Sequence, residues 1–176
     1  MGNTRGASSK KDDSDRLCGD FKVTVNPGLV VDTYLLPTID DLQEKMNGGK
    51  FFSKLDLSKA YSQIPLHEES KQYTTLTTHK GLYSYNRLPF GVSSAAAIFQ
   101  RTMDQIFHDL PQIPCYQDDI LVTGKDQSDH LANLEQVLKR LEEHGLTVQR
   151  EKCAFMQSSL KYLGHLIDPE GIHPPS

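Results

Sequence analysis

Two adjacent acids, Asp118 and Asp119, interrupt an apolar, β-prone run at residues 115–122. Aspartate is poorly suited to a strand interior but common in turns, so the run predicts a hairpin with both acids at or beside its tip. Adjacent carboxylates repel each other, and packing them between apolar strands costs free energy unless a cation compensates. Carboxylate oxygens suit Mg²⁺, which makes the pair a candidate metal site. A solvated acidic turn is the alternative interpretation.

A third acid, Asp56, ends a predicted strand at residues 50–57, where it shares one face with Phe52 and Lys54. If this strand and the hairpin are neighbours in one sheet, the three acids meet at one edge. Carboxylates that share two Mg²⁺ ions roughly 3.5–4 Å apart are suited to in-line phosphoryl or nucleotidyl transfer. A helix N-cap or a turn acid is the alternative for Asp56, because residues 58–61 favour a helical turn.

Composition narrows the class of protein. The 176 residues are 37% apolar, which suits one globular domain. No apolar run has the length of a membrane span or a signal-peptide core, which predicts an intracellular protein of cytoplasm or nucleus without membrane contact. The cysteines are odd in number and lack a Cys-x-x-Cys pair, which argues against disulfides and structural zinc. A net charge of −4 argues against a nucleic-acid-coating module but not against an enzyme that holds metals.

The order of predicted elements indicates an α+β fold with helices on one face of a mostly antiparallel sheet. Residues 1–15 lack periodicity and are predicted to form a disordered leader, with 10–13 as a solvated run or a hairpin tip. Thr38 is the predicted N-cap of one helix, with Asp41 in a capping box, and Ser128 or Asp129 caps another. A further helix is expected at 95–108, a tail at 169–176, and strands at 16–25, 50–57, 72–79, 81–88, 146–149 and 160–167.

Several motifs together resemble those of reverse transcriptases: Phe52-Ser53-Lys54-Leu55-Asp56-Leu57, Leu88-Pro89-Phe90-Gly91, Phe99-Gln100 and Tyr116-Gln117-Asp118-Asp119. Two more make the chain most similar to Pol polyproteins of gypsy-type LTR retrotransposons: Lys80-Gly81-Leu82-Tyr83 and Tyr162-Leu163-Gly164-His165. The resemblance covers residues 10–174 in unbroken motif order. It implies an RNA-directed DNA polymerase domain, with residues 16–176 forming a polymerase palm with partial fingers and no thumb.

The same resemblance implies a two-metal site. Asp56 and Asp118 would bind two Mg²⁺ ions, for which Mn²⁺ is a possible substitute, with the Leu57 carbonyl as a further ligand and Asp119 completing the triad. Tyr61 stands where the family places an aromatic gate against the ribose 2′-hydroxyl, the group that separates the two kinds of nucleotide. A buried aromatic residue after a strand is the alternative for Tyr61.

Other implied contacts are to the incoming deoxynucleoside triphosphate. Arg16, with Lys10 or Lys11, matches residues that neutralise the triphosphate, although surface solvation is the alternative for the two lysines. Phe90 and Gly91 would border the nucleotide pocket, where glycine lets the backbone approach a ligand closely.

Lys152 matches a lysine near the leaving pyrophosphate, where an ammonium group is a candidate general acid; an exposed lysine is an equal alternative. Residues 162–165 would form a hairpin that grips the primer end, or an ordinary core strand. The implied partners are an RNA or DNA template, a primer strand, deoxynucleoside triphosphates, and the RNase H and integrase of a Pol polyprotein. Two other functions stay open: a catalytically inactive or truncated retroelement fragment acting as a nucleic-acid or protein interaction module, and a metal-dependent nuclease, which the context of Tyr61 disfavours.

Overall fold

The computed structural model describes residues 5–9, 15–30 and 33–174. Its strands are β1 Arg5–Ser9, β2 Asp15–Gly19, β3 Phe51–Asp56, β4 Thr75–Thr78, β5 Gly81–Ser84, β6 Cys115–Tyr116, β7 Asp119–Gly124, β8 Ala154–Gln157, β9 Leu160–Tyr162, β10 His165–Asp168 and β11 Gly171–His173. Its helices are α1 Ile39–Met46, α2 Glu68–Lys71, α3 Ala95–Ile106 and α4 Gln127–Glu143. The strand pairs are antiparallel, in agreement with the predicted α+β class. Within the described ranges, no helix is long and apolar enough to cross a membrane.

The chain divides into two compact units, where the sequence predicted one domain. One unit comprises Met1–Tyr34 and Lys59–Phe99, and the other comprises Leu35–Ser58 and Gln100–Ser176. Each unit is assembled from two separate stretches of chain. Hydrophobic periodicity reports the face that an element buries but not which distant element covers it, so this division is not visible in the sequence pattern.

The second unit is built on a four-stranded sheet in the order β6-β7-β3-β8. The predicted hairpin at 115–122 and the predicted strand at 50–57 are both confirmed, and β3 pairs with β7. The two strands bury their apolar side chains almost completely, and α4 packs against both of them. The buried apolar residues of this pair are Phe52, Leu55, Ile120, Leu121 and Val122.

The ends of the helices test the predicted caps. At α1 the capping box is confirmed, because the Thr38 hydroxyl accepts from the Asp41 amide at 3.2 Å and the Asp41 carboxylate accepts from the Thr38 amide at 2.7 Å. At α4 the prediction of Ser128 or Asp129 is wrong, since Asp126 is the N-cap and accepts from the Asp129 amide at 2.8 Å. Asp, Ser and Asp stand within four positions here, and each type can cap, so residue type alone did not select the first.

Strand predictions near the carboxyl end were partly wrong. Residues 146–149 form only an isolated bridge, Leu57 to Val148. The hairpin expected at residues 162–165 is present between β9 and β10, and it replaces the single strand predicted at 160–167. The hairpin turns at Leu163 and Gly164, whose φ values are +50° and +81°. The predicted tail contains β11, which pairs with β10. These strands are short and depend on their partners rather than on an alternating pattern of their own.

The amino-terminal segment also differs from its prediction. Residues 1–15 were expected to be disordered, whereas Arg5–Ser9 forms β1 and pairs antiparallel with β2. Main-chain hydrogen bonds between strands do not require a hydrophobic pattern, which explains why the composition of this segment concealed the strand. The possible hairpin tip at 10–13 lies outside the described residues. The strand predicted at 16–25 is shorter than expected and ends at Gly19.

A buried histidine gives the second unit a predicted dependence on pH. His130 of α4 is fully buried, and its Nε2 lies 2.7 Å from the Ser53 hydroxyl oxygen. Burial lowers the pKa of His130 and outweighs the Phe51 carbonyl and the Asp129 charge, which raise it. The unfolded histidine takes up a proton near pH 6.5 and the folded one only at lower pH. The contribution of neutral His130 to stability is therefore fully present above about pH 6.5 and is lost as the pH falls below that value.

We expect the free energy of unfolding to fall by up to about 1.4 kcal/mol per pH unit in that acidic window. His130→Gln keeps a polar side chain but does not titrate, so it should flatten the slope. The matched control is the same substitution at the exposed His79. Urea unfolding at several pH values from about 5 to 7.5 measures this. Equal slopes in the wild type and His130→Gln would contradict the prediction.

Candidate active site

Asp56 and Asp119 lie opposite each other at one end of the β3–β7 pair. Side chains directly opposite in an antiparallel pair share a face and lie close together. The Leu57 amide donates to the Asp118 carbonyl at 2.9 Å, which extends the pairing by one residue beyond β3. The structure therefore brings Asp56, Asp118 and Asp119 to one end of the central strands, together with Leu57.

The turn that carries the two adjacent acids is short. Tyr116 and Asp119 are paired residues of β6 and β7, which leaves Gln117 and Asp118 as the connecting loop. Gln117 has φ of +56°, in the left-handed region that non-glycine residues seldom occupy. This backbone conformation determines the direction in which the chain enters Asp118, so it belongs to the geometry of the site.

Two lysines offset part of the negative charge. Lys54 Nζ lies 3.9 Å from Asp119 Oδ1, and Lys152 Nζ lies 4.0 Å from Asp56 Oδ1. The pKa of Asp119 is nevertheless raised, first by burial and then by the charges of Asp118 and Asp56, while both lysines lower it. The two lysines therefore do not fully compensate this group of carboxylates, and an additional cation would stabilise their charged forms.

Only one of these two lysines was predicted from the sequence as a site residue. Lys152 was predicted near the pyrophosphate, and the structure places it at the end of a 3₁₀ helix, beside Asp56. Lys54 was not predicted as a site residue. Its signal was present, because it precedes Asp56 by two positions and the two share a strand face.

The donor set suits a hard divalent cation, since carboxylate and carbonyl oxygens are the ligands that Mg²⁺ prefers. Among the described residues, only Asp168, Glu170 and His173 have three candidate ligand atoms within 4.8 Å of one another. There, His173 Nε2 lies 2.9 Å from Asp168 Oδ1, so a hydrogen-bonded pair accounts for the cluster. The catalytic candidates are not gathered as tightly, although their chemistry fits the metal.

Tyr61, Phe90 and Gly91, which were predicted to border the nucleotide, lie in the first unit. Tyr61 is in a 3₁₀ helix, Ala60–Gln63, and its ring centroid lies 4.8 Å from that of Phe90 and 5.4 Å from that of Phe99. Tyr61 is half-buried, so its ring is held by packing. The structure brings Tyr61 and Phe90 together.

The backbone conformation and close packing at position 91 within the first unit require glycine. Its φ is +95°, and a Cβ atom there would lie 2.8 Å from the Gly19 carbonyl oxygen. The Asn26 side chain donates to the Gly91 carbonyl at 2.9 Å and accepts from the Ser93 amide at 2.9 Å. Asn26 was missed as a residue that holds this loop, because only its turn-forming character is visible in the sequence.

Two predicted triphosphate contacts are not tested by the structure. Arg16 lies in β2, where only the backbone is described, and Lys11 lies outside the described residues. Their roles stay predictions.

Residues 12–167 match the family model described as reverse transcriptase (RNA-dependent DNA polymerase). The chain belongs to the reverse transcriptase family. The predicted relationship to gypsy-type Pol polyproteins is likewise confirmed. Two such relatives from Drosophila melanogaster are the retrovirus-related Pol polyproteins from transposon 412, 37% identical over 161 residues, and from transposon gypsy, 32% identical over 169 residues.

Solved reverse transcriptases share this fold. The structure of the foamy viral protease-reverse transcriptase in complex with RNA/DNA hybrid matches with a TM-score of 0.87 and 26% identity, covering 100% of this chain and 24% of that one. The alignments to the transposon 412 and gypsy polyproteins cover 90% and 95% of this chain, but 13% and 16% of those proteins. This reverse transcriptase chain thus spans less than a fifth of their length.

Proposed function

We propose that this chain is an RNA-directed DNA polymerase domain that adds deoxynucleotides to a primer 3′ end. The observation that carries the proposal is the register of β3 against β7, which sets Asp56 opposite Asp119 with Asp118 next to it. Acids from two strands at one sheet edge are suited to two-metal nucleotidyl transfer. Residues 16–176 are assigned to a polymerase palm with part of the fingers.

The acids and the lysines have different proposed roles in the reaction. Two Mg²⁺ ions, when bound, supply activation of the primer hydroxyl and neutralisation of the triphosphate. Asp56 and Asp118 would hold them, with the Leu57 carbonyl as a further ligand. Asp119 would balance charge beside Lys54. Lys152, which lies beside Asp56, carries the proton that the leaving pyrophosphate needs.

The nucleotide is selected by residues of the other unit. Tyr61 excludes the 2′-hydroxyl by bulk, because its ring is held against Phe90 and Phe99. Phe90 and Gly91 border the base and sugar, and Arg16 with Lys11 neutralises the triphosphate. Template, primer and the remaining Pol polyprotein domains, including RNase H and integrase, are the proposed partners.

Metal removal tests this function directly. With a primed RNA template and deoxynucleotides, extension should stop in EDTA and return with excess Mg²⁺, with Mn²⁺ as a substitute, because the acids repel one another without a cation. Primer extension on a denaturing gel measures it, with a primed DNA template in parallel. Extension that persists in EDTA would contradict the proposal.

The same assay separates the second candidate, an interaction module. Such a module would bind primer–template equally with or without Mg²⁺ and with or without Asp56→Asn, and would extend nothing. Fluorescence anisotropy of a labelled primer–template, measured beside the extension assay, distinguishes the two functions.

A further inference from the structure

Gln100 is fully buried in α3 and bonds to the backbone of the chain that leads into the acidic turn. Its Oε1 accepts from the Gln117 amide at 2.8 Å, and its Nε2 donates to the Cys115 carbonyl at 2.9 Å. The same Nε2 donates to Asp104 Oδ1 at 3.0 Å, which fixes the orientation of the amide group. One side chain thus spans the loop that leads to Asp118.

The residue that Gln100 holds is the strained one. Gln117 occupies the left-handed region at φ +56°, which a residue with a Cβ adopts at a cost. The hydrogen bond that the Gln117 amide donates to the buried Gln100 offsets that cost. Without this partner, the Gln117 amide and the Cys115 carbonyl would each lose a hydrogen bond on the buried side of the turn.

The remainder of the turn is held from other elements. The Leu57 amide donates to the Asp118 carbonyl at 2.9 Å, and the Tyr162 hydroxyl donates to the Asp119 carbonyl at 3.0 Å. Tyr162 is buried, and burial is the main reason that its pKa is raised well above the ordinary value, so it stays protonated as a donor. Gln100 therefore holds the Gln117 amide, while Leu57 and Tyr162 hold the carbonyls of the two acids.

We infer that Gln100 is a positioning residue for the metal-binding acids: it holds Gln117 in the left-handed conformation and thereby fixes the geometry of Asp118 and Asp119. This inference rests on the proposed function for what the acids bind. Groups that orient metal ligands contribute about 10–100-fold to metal affinity without touching the ion. Gln100 bonds to backbone and Asp104, so it acts through the turn.

The test uses Gln100→Met, which keeps the length of the side chain and removes its hydrogen bonds. Mn²⁺ alone is the probe, titrated by paramagnetic resonance, and the binding lost in Asp118→Asn defines the site. We expect Gln100→Met to raise the dissociation constant of that site about tenfold. Amide exchange by NMR should show the Gln117 amide exchanging at least about tenfold faster, while amides of α4 are unchanged.

Rescue separates positioning from a general loss of stability. Gln117→Gly removes the cost of the left-handed conformation, so adding it to Gln100→Met should recover at least about threefold of the lost Mn²⁺ affinity. Gln105→Met, at an exposed position of the same helix, is the matched control and should change neither readout. If Gln100→Met does not fold, Gln100→Leu replaces it, because leucine also removes the hydrogen bonds to the Gln117 amide and the Cys115 carbonyl.

Unchanged Mn²⁺ affinity in the Gln100 variant, or a failure of Gln117→Gly to restore it, would overturn the inference. A wild-type chain that binds Mn²⁺ through Asp118 but extends no primer would contradict the polymerase proposal alone, because the affinity measurement still decides the role of Gln100. Absence of any Asp118-dependent Mn²⁺ site would overturn both.

Discussion

Replacing Asp118 with asparagine should reduce primer extension by at least about 10³-fold, equivalent to about 4 kcal/mol of lost transition-state stabilisation. The substitution keeps the shape of the side chain and the carbonyl that accepts from the Leu57 amide. It removes one of the negative charges that are proposed to hold the metals. Because the charge of Asp118 also raises the pKa of Asp119, Asp119 in the variant should ionise at lower pH than in the wild type.

Single-nucleotide incorporation under pre-steady-state conditions measures this effect. The matched control is Glu135→Gln, which removes one negative charge from the exposed face of α4 and should retain wild-type rates. Thermal unfolding of both variants should remain near that of the wild type. A rate for Asp118→Asn within about tenfold of the wild-type rate would show that this carboxylate is not a metal ligand in the reaction.

Shortening Tyr61 to valine should increase incorporation of ribonucleotides relative to deoxynucleotides by about 10–200-fold. The Tyr61 ring packs against Phe90 and Phe99, so its removal opens space beside these two rings. Loss of these ring contacts should also lower stability, by about 0.5–1.5 kcal/mol for each pair beyond the lost buried area. The increase should come from faster ribonucleotide addition, with deoxynucleotide addition affected less.

Competition between matched ribo- and deoxynucleoside triphosphates on one template measures the selectivity. Tyr61→Phe keeps the ring and should keep the discrimination, and Tyr73→Val removes an exposed tyrosine as the matched control. The same ratio in Tyr61→Val and the wild type would assign Tyr61 to packing alone, the alternative that the sequence left open.

The structural features that depend on residues close together in the chain were predicted well from the sequence. The capping box of Thr38 and Asp41 and the hairpin around Gln117 depend on residues a few positions apart, so their chemistry is visible in the order of the chain. The cap of α4 was misplaced because several capping residues compete within one turn. The predicted tail and leader concealed β11 and β1, which exist only through pairing with another strand.

The candidate site shows the same limit. Residue types and motif order were sufficient to select Asp56, Asp118 and Asp119, but the register that sets Asp56 opposite Asp119 depends on contacts across about sixty residues. Lys54 could have been recognised from the strand face that it shares with Asp56. Gln100 bonds to the backbone of Cys115 and Gln117, so its part in the turn is visible only in three dimensions. The strained conformation of Gln117 has no signal in its residue type, because glutamine is not typical of left-handed turns.

The division of the chain into two units has a consequence for how such an enzyme diversifies. Asp56 and Asp118 belong to one unit, whereas Tyr61 and Phe90 belong to the other. Under the proposed function, substitutions at the sugar-selecting positions therefore fall in a different unit from substitutions at the metal-binding positions. We therefore expect evolution or laboratory selection to change the discrimination between ribose and deoxyribose separately from the tolerance for a given cation.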